Sequence, residues 1–198
     1  MSKVSVLFCV MVCAALAVSG ATSFPECPAV GSDTSGCELL ITVTAVDGTG
    51  AATAFSVAAS VPDLGPFDAS DDTLIGILNS SGSTLNSIFL SGGAVDIFGF
   101  DGDGACSGLY GTIPGCSTAT DPSGYAPGGV TFSGINTLMT SGTVNFSPGV
   151  PNTGSQWFSM EEALTVTSFS SGTPEPATFG LIGLGLTGLY FVRRRAKA

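Results

Sequence analysis

The sequence contains no histidine, and its five basic residues all lie near the ends: Lys3 at the front, Arg193, Arg194, Arg195 and Lys197 at the back. The segment between, residues 24–172, holds 14 of the 15 acidic residues and no lysine or arginine to offset them. Each absence excludes a class of function. Counterion release by lysine and arginine drives nucleic-acid binding, so that partner is ruled out for this segment. Anionic headgroups and acidic polysaccharides are repelled unless divalent cations bridge them. Catalysis by histidine or lysine, a Ser-His-Asp constellation and a P-loop all lack their central residues. No repeat of fixed period is present, which argues against a solenoid or propeller.

Carboxylates alone can hydrolyse glycosides or peptides, but the acids here do not fall into a catalytic pattern. Asp33-Thr34-Ser35-Gly36 and Asp47-Gly48-Thr49-Gly50 are each out of order for the Asp-Thr-Gly loop of an aspartic protease. Glu161 and Glu162 are neighbours in an expected strand, where adjacent side chains point to opposite faces. The reading is therefore a protein without catalytic activity.

Two apolar segments flank this acidic body. At the front, Lys3 precedes an uncharged, mostly apolar run, Val4 to Val18, and then small residues, the order of a secretory signal peptide. Residues 1–23 are assigned to it; cleavage after Ser19, Ala21 or Ser23 fits equally, and Cys9 and Cys13 leave with it. At the back, 17 uncharged residues separate Glu175 from Arg193. As a helix they reach roughly 25 Å at about 1.5 Å per residue, just short of a hydrocarbon core of about 30 Å, a gap that snorkelling arginines close. Residues 177–192 are read as a single transmembrane helix and 193–198 as a basic tail that stays cytoplasmic, leaving the body outside. Pro174 and Pro176 around Glu175 hold the preceding stretch extended, as suits either a cleavable peptide or a plain linker.

Pro174-Glu175-Pro176, the Gly- and Leu-rich span and the Arg193, Arg194, Arg195 cluster together resemble the PEP-CTERM protein-sorting signal over residues 173–198. The resemblance implies recognition by an exosortase-like membrane enzyme that cleaves near the tripeptide. It implies transient inner-membrane anchoring, then delivery to the envelope surface or beyond, in bacteria that make exopolysaccharide. The stretches Asp71-Asp72-Thr73-Leu74, IFGFDGDG and GTVNFSPGVPNTGSQWFSMEEAL are similar, more loosely, to ectodomains that accompany this signal, and they bring no activity with them.

The body, residues 24–172, reads as all-β: short apolar runs separated by Gly, Ser, Asp and Pro. Strands are expected at 38–46, 52–60, 73–79, 85–91, 95–100, 129–133, 142–147, 156–160 and 163–169. Leu39, Ile41 and Val43 alternate with Thr42 and Thr44, one buried face per strand. Nine short antiparallel strands predict a β-sandwich ectodomain.

Cys27, Cys37, Cys106 and Cys116 remain after signal cleavage, spaced ten apart within each pair. Export makes disulfides the default. Of three possible connectivities the equal spacing favours Cys27 with Cys37 and Cys106 with Cys116; a zinc site lacks close C-x-x-C pairs. In "FGFDGDGAC", Asp101 and Asp103 alternate with glycines and are candidate calcium ligands, although Ala105 and Thr112 stand where an EF-hand loop needs ligands. A glycine-rich turn with solvated aspartates is the plainer reading. Trp157, Phe158 and Tyr110 could stack on sugars or simply fill the core. Two functions stay in view: a surface or extracellular-matrix component associated with exopolysaccharide, and a calcium-assisted carbohydrate-binding or adhesive module.

Overall fold

The computed structural model describes residues 21–119 and 121–169. The expected signal peptide up to residue 20, Pro174-Glu175-Pro176, the span and the basic tail lie outside the described residues. Among the described residues, no helix is long and apolar enough to cross a membrane.

Seven strands form in chain order: β1 (Leu39–Val46), β2 (Ala52–Ala59), β3 (Thr73–Asn79), β4 (Leu85–Ser91), β5 (Val130–Ser133), β6 (Ser141–Val150) and β7 (Ser155–Met160). A short 3₁₀ turn, Ser123–Tyr125, precedes β5. The strands make a four-stranded sheet in the order β2-β1-β3-β7 and a three-stranded sheet in the order β4-β6-β5. The main core lies between them: Leu39, Ile41, Val43, Ile75, Ile77 and Phe158 from the first meet Leu85, Ile88, Leu90, Val144 and Phe146 from the second. The protein is thus a two-sheet β structure, as the strand pattern predicts.

The four-stranded sheet is covered on its other face too. Leu40, Leu74 and Trp157 point away from the main core into a second cluster with Phe24, Val30, Phe67, Ala105, Ile113 and the cysteines. Both faces of β3 are therefore buried. Gly76 sits where the cover presses on the sheet: a Cβ there would stand 2.5 Å from Cys37 Sγ. Cys27 is bonded to Cys37 and Cys106 to Cys116, with Cα separations of 4.9 and 5.2 Å, the pairing that the spacing favours.

The structure corrects the strand reading in three places. β1 and β3 pair in parallel, from Leu39↔Ile75 to Val43↔Asn79, at the centre of the larger sheet; such central strands are apolar on both faces, which local alternation does not distinguish from antiparallel pairing. Residues 95–100 form no strand, because the chain turns at Gly92 to Val95 and again at Asp96 to Gly99 while still burying Ile97 and Phe98. Residues 163–169 turn as well: Ser168 N donates to Thr165 O, and Thr165 N donates to Ser168 Oγ. Hydroxyls that bond their own backbone compete with a sheet ladder.

Candidate metal site at the end of the larger sheet

Three carboxylates converge where β3 begins and β7 ends. One oxygen each from Asp72, Asp103 and Glu161 lies within 4.8 Å of the others. Their positions have separate causes. Asp68 Oδ1 accepts hydrogen bonds from the amides of Ser70, Asp71 and Asp72, at 3.0, 3.0 and 2.9 Å, which turns the chain into β3 with Asp72 just ahead of it. The β3/β7 register ends at Thr73↔Met160, so one further step sets Asp72 opposite Glu161, on the face that carries Leu74 and Ser159.

Asp103 arrives from the β4–β5 connection, three residues before the loop that the Cys106–Cys116 bond closes. Ala105 N donates to Ser159 Oγ at 3.1 Å, and Ser159 Oγ donates to Tyr125 O at 3.2 Å. Gly104 lies flat against the Tyr125 ring, where a Cβ would stand 2.5 Å from Cγ, so only glycine allows this approach. The Tyr125 ring is fully buried and packs on Phe100 with centroids 4.5 Å apart.

The Tyr125 hydroxyl lies 2.7 Å from Glu161 Oε2, 2.9 Å from Asp103 Oδ1 and 3.3 Å from Asp101 Oδ1. Its single hydrogen satisfies one of the three at a time. Asp72 is 0% exposed, and neither carboxylate oxygen has a hydrogen-bond partner. Burial and then the charges of Asp103 and Glu161 push its pKa up to about 9. Glu161 is pushed up to about 7, chiefly by burial, with the Tyr125 hydrogen bond working the other way. Burial also raises Asp103. Tyr125 is held far above the usual phenol range by burial and by the Glu161 carboxylate.

Of the two calcium candidates read from the sequence, Asp103 belongs to this trio, whereas Asp101 is exposed and stands outside it, 3.3 Å from the Tyr125 hydroxyl. Asp72 and Glu161 were missed. Glu161 was set aside as half of an adjacent pair in a strand, yet both glutamates lie beyond β7, and Glu162 turns away at φ 74°. The DDTL stretch marked Asp72 only as part of a resemblance. No local spacing connects residues 72, 103 and 161; the β3/β7 register and the docking of the β4–β5 connection on Ser159 and Tyr125 do.

Other candidates resolve differently. Trp157 is 7% exposed and Phe158 fully buried, both in the core, while Tyr110 is half-buried with its ring edge-on to Phe67 at 5.1 Å. Asp47 caps the β1–β2 turn, its Oδ1 accepting from the Thr49 amide and hydroxyl and the Ala51 amide. Asp33 is buried in the second cover, beside Glu38 and Asp63. An open groove of about 340 Å³ is lined by Phe98, Phe100, Asp121, Ile135, Asn136 and Met139.

Residues 173–195 match the family model described as the PEP-CTERM protein-sorting motif. The chain carries a PEP-CTERM sorting signal. It is accordingly an exported protein subject to exosortase-mediated processing, and the two disulfides fit a site outside the cytoplasm. No curated protein and no solved structure matches the chain.

Proposed function

We propose that the processed body is a non-catalytic component of exopolysaccharide-rich material at or beyond the envelope surface. The observation that carries this reading is the union of a PEP-CTERM signal with a body that has 14 acids and no lysine, arginine or histidine. Such a surface stays soluble and repels anionic polymers except where divalent cations join them. Absence of catalysis is supported by burial: Asp72 and Glu161 are closed off from solvent, so a sugar or peptide does not reach the pair. The precursor passes through the inner membrane with the body outside, and cleavage near Pro174-Glu175-Pro176 then discards the span and Arg193–Arg195.

Intact-mass analysis of surface and extracellular material tests the route. Chains ending near Glu175 support it, and chains ending at Ala198 make the tail a permanent anchor. Changing the tripeptide is expected to leave insertion intact while uncut precursor accumulates; removing the arginines disturbs topology instead.

The groove beside Phe100 favours a second reading, an adhesive module that binds a specific carbohydrate. Phe100 lines the groove and also packs on Tyr125, next to the carboxylates. Saturable binding of the exported protein to one sugar on a glycan array, lost in Asn136→Ala, supports this second reading; an array without saturable binding favours the matrix component.

A further inference from the structure

We propose that Asp72, Asp103 and Glu161, with the Tyr125 hydroxyl beside them, form a Ca²⁺ site that fastens the β4–β5 connection, just ahead of Cys106, to the end of the β3/β7 pair. The acidic cluster alone would not carry this. The deciding observation is Asp72, whose carboxylate is 0% exposed, has no hydrogen-bond partner at either oxygen, and faces two more carboxylates. Burying a carboxylate without a partner is costly, and the remedies are a proton, a cationic side chain, several N–H donors or a metal ion. The body has no cationic side chain at all. The Tyr125 hydroxyl has a single hydrogen for Glu161, Asp103 and Asp101. A proton or a metal ion is what this composition leaves, and among the described residues Asp72, Asp103 and Glu161 are the carboxylates that come together in threes within a metal's reach.

Geometry and donor chemistry select the ion. Two oxygens held by one Ca²⁺ at about 2.4 Å are at most about 4.8 Å apart, and the three carboxylate oxygens meet that bound. All donors are oxygen, which suits hard cations over zinc or copper. Three carboxylates binding through one or both oxygens fit the variable geometry of Ca²⁺ better than the strict octahedron of Mg²⁺. The ligands come from the turn before β3, the end of β7 and the β4–β5 connection just ahead of Cys106, so one ion ties that unpaired connection to the paired end of the sheet.

The test uses the exported protein stripped with EGTA, then titrated with CaCl₂ by calorimetry and melted with and without Ca²⁺, with Mg²⁺ at equal ionic strength as the comparison. A saturable site for one Ca²⁺ per chain is expected, with a rise in Tm that exceeds that in Mg²⁺. Tb³⁺ in place of Ca²⁺ is expected to luminesce on excitation of tyrosine, because Tyr125 adjoins the ion. Asp72→Asn, nearly isosteric, is expected to abolish the titration, the Tm increment and the luminescence. Stripped, that variant melts no lower than the stripped parent, since the amide fills the same space as the carboxyl and adds no buried charge, which separates lost binding from lost folding. Asp96→Asn, at an exposed acid outside the trio, leaves all three signals in place. No saturable Ca²⁺ binding, an equal response to Mg²⁺, or an unchanged titration in Asp72→Asn each overturns the proposal.

Discussion

Tyr125 places its phenolic oxygen 2.7 Å from Glu161 Oε2, and both groups are buried. The ring packs on Phe100 and Gly104, so the residue joins an aromatic contact to a carboxylate cluster. Tyr125→Phe keeps the ring and removes the donor. The variant is expected to lose about 1–3 kcal/mol of stability in chelator, the cost of leaving a buried acceptor unpaired. Urea unfolding at pH 7 measures it, and an unchanged midpoint would show that the hydroxyl supports nothing there.

Stability is expected to fall as pH rises, opposite to the trend for proteins whose acids are paired with bases. Glu38 is pushed up to about 8, first by burial and then by Asp33 and Asp63; Asp33 is pushed up to about 7 by burial and Asp63. The folded state therefore holds protons that the unfolded chain releases near pH 4. This contribution is complete below about pH 4 and is lost through pH 7 to 8. Melting in chelator between pH 5 and pH 9 is expected to show a declining Tm. Glu38→Gln flattens the decline; a Tm that rises with pH contradicts it.

Each disulfide closes a loop with a sequence separation of 10, worth about 2.5–3 kcal/mol on the chain-entropy estimate. Cys27→Ser/Cys37→Ser is expected to lose about that much, plus whatever packing Cys37 makes against Gly76. Cys106→Ser/Cys116→Ser is expected in addition to weaken Ca²⁺ binding, since Asp103 lies three residues before Cys106. Peptide mapping of the parent under non-reducing conditions joins the local pairs. Trypsin cannot make this map, because the body has no lysine or arginine, so an acid-directed digest is required.

The mature N-terminus is expected at Gly20 or Thr22 and not at Phe24. Thr22 exchanges both backbone hydrogen bonds with Val61, each at 2.9 Å. Cleavage after Ser23 discards that bridge, whereas cleavage after Ser19 or Ala21 keeps it. N-terminal sequencing of exported protein decides, and a start at Phe24 would show that the bridge is dispensable.

Strands were legible wherever one condition held: enough β-branched and apolar residues in a run with no competing turn. The runs at β1 to β4 and β7 meet it, and their expected bounds fall within a residue of those observed. Residues 95–100 and 163–169 carry the same apolar content but are drawn into turns by Gly92, Gly99 and the Thr165–Ser168 hydroxyls. Burial without pairing looks the same in one dimension as burial with it. The metal candidates divided similarly. Asp103 was visible because glycines frame it; Asp72 and Glu161 were not, because what makes them notable is being opposite each other.

The sequence by itself determined the sorting signal, the charge of the body and the disulfide pairing favoured by spacing. These depend on composition, chain order and short separations, which exist before folding. Only the tertiary structure decided that β1 and β3 run parallel, that Trp157 is core and that Asp72, Asp103 and Glu161 meet. The physical reason is that strand register and loop docking convert distant residues into neighbours, and the burial that strips Asp72 of water arises only when the cover closes over the larger sheet.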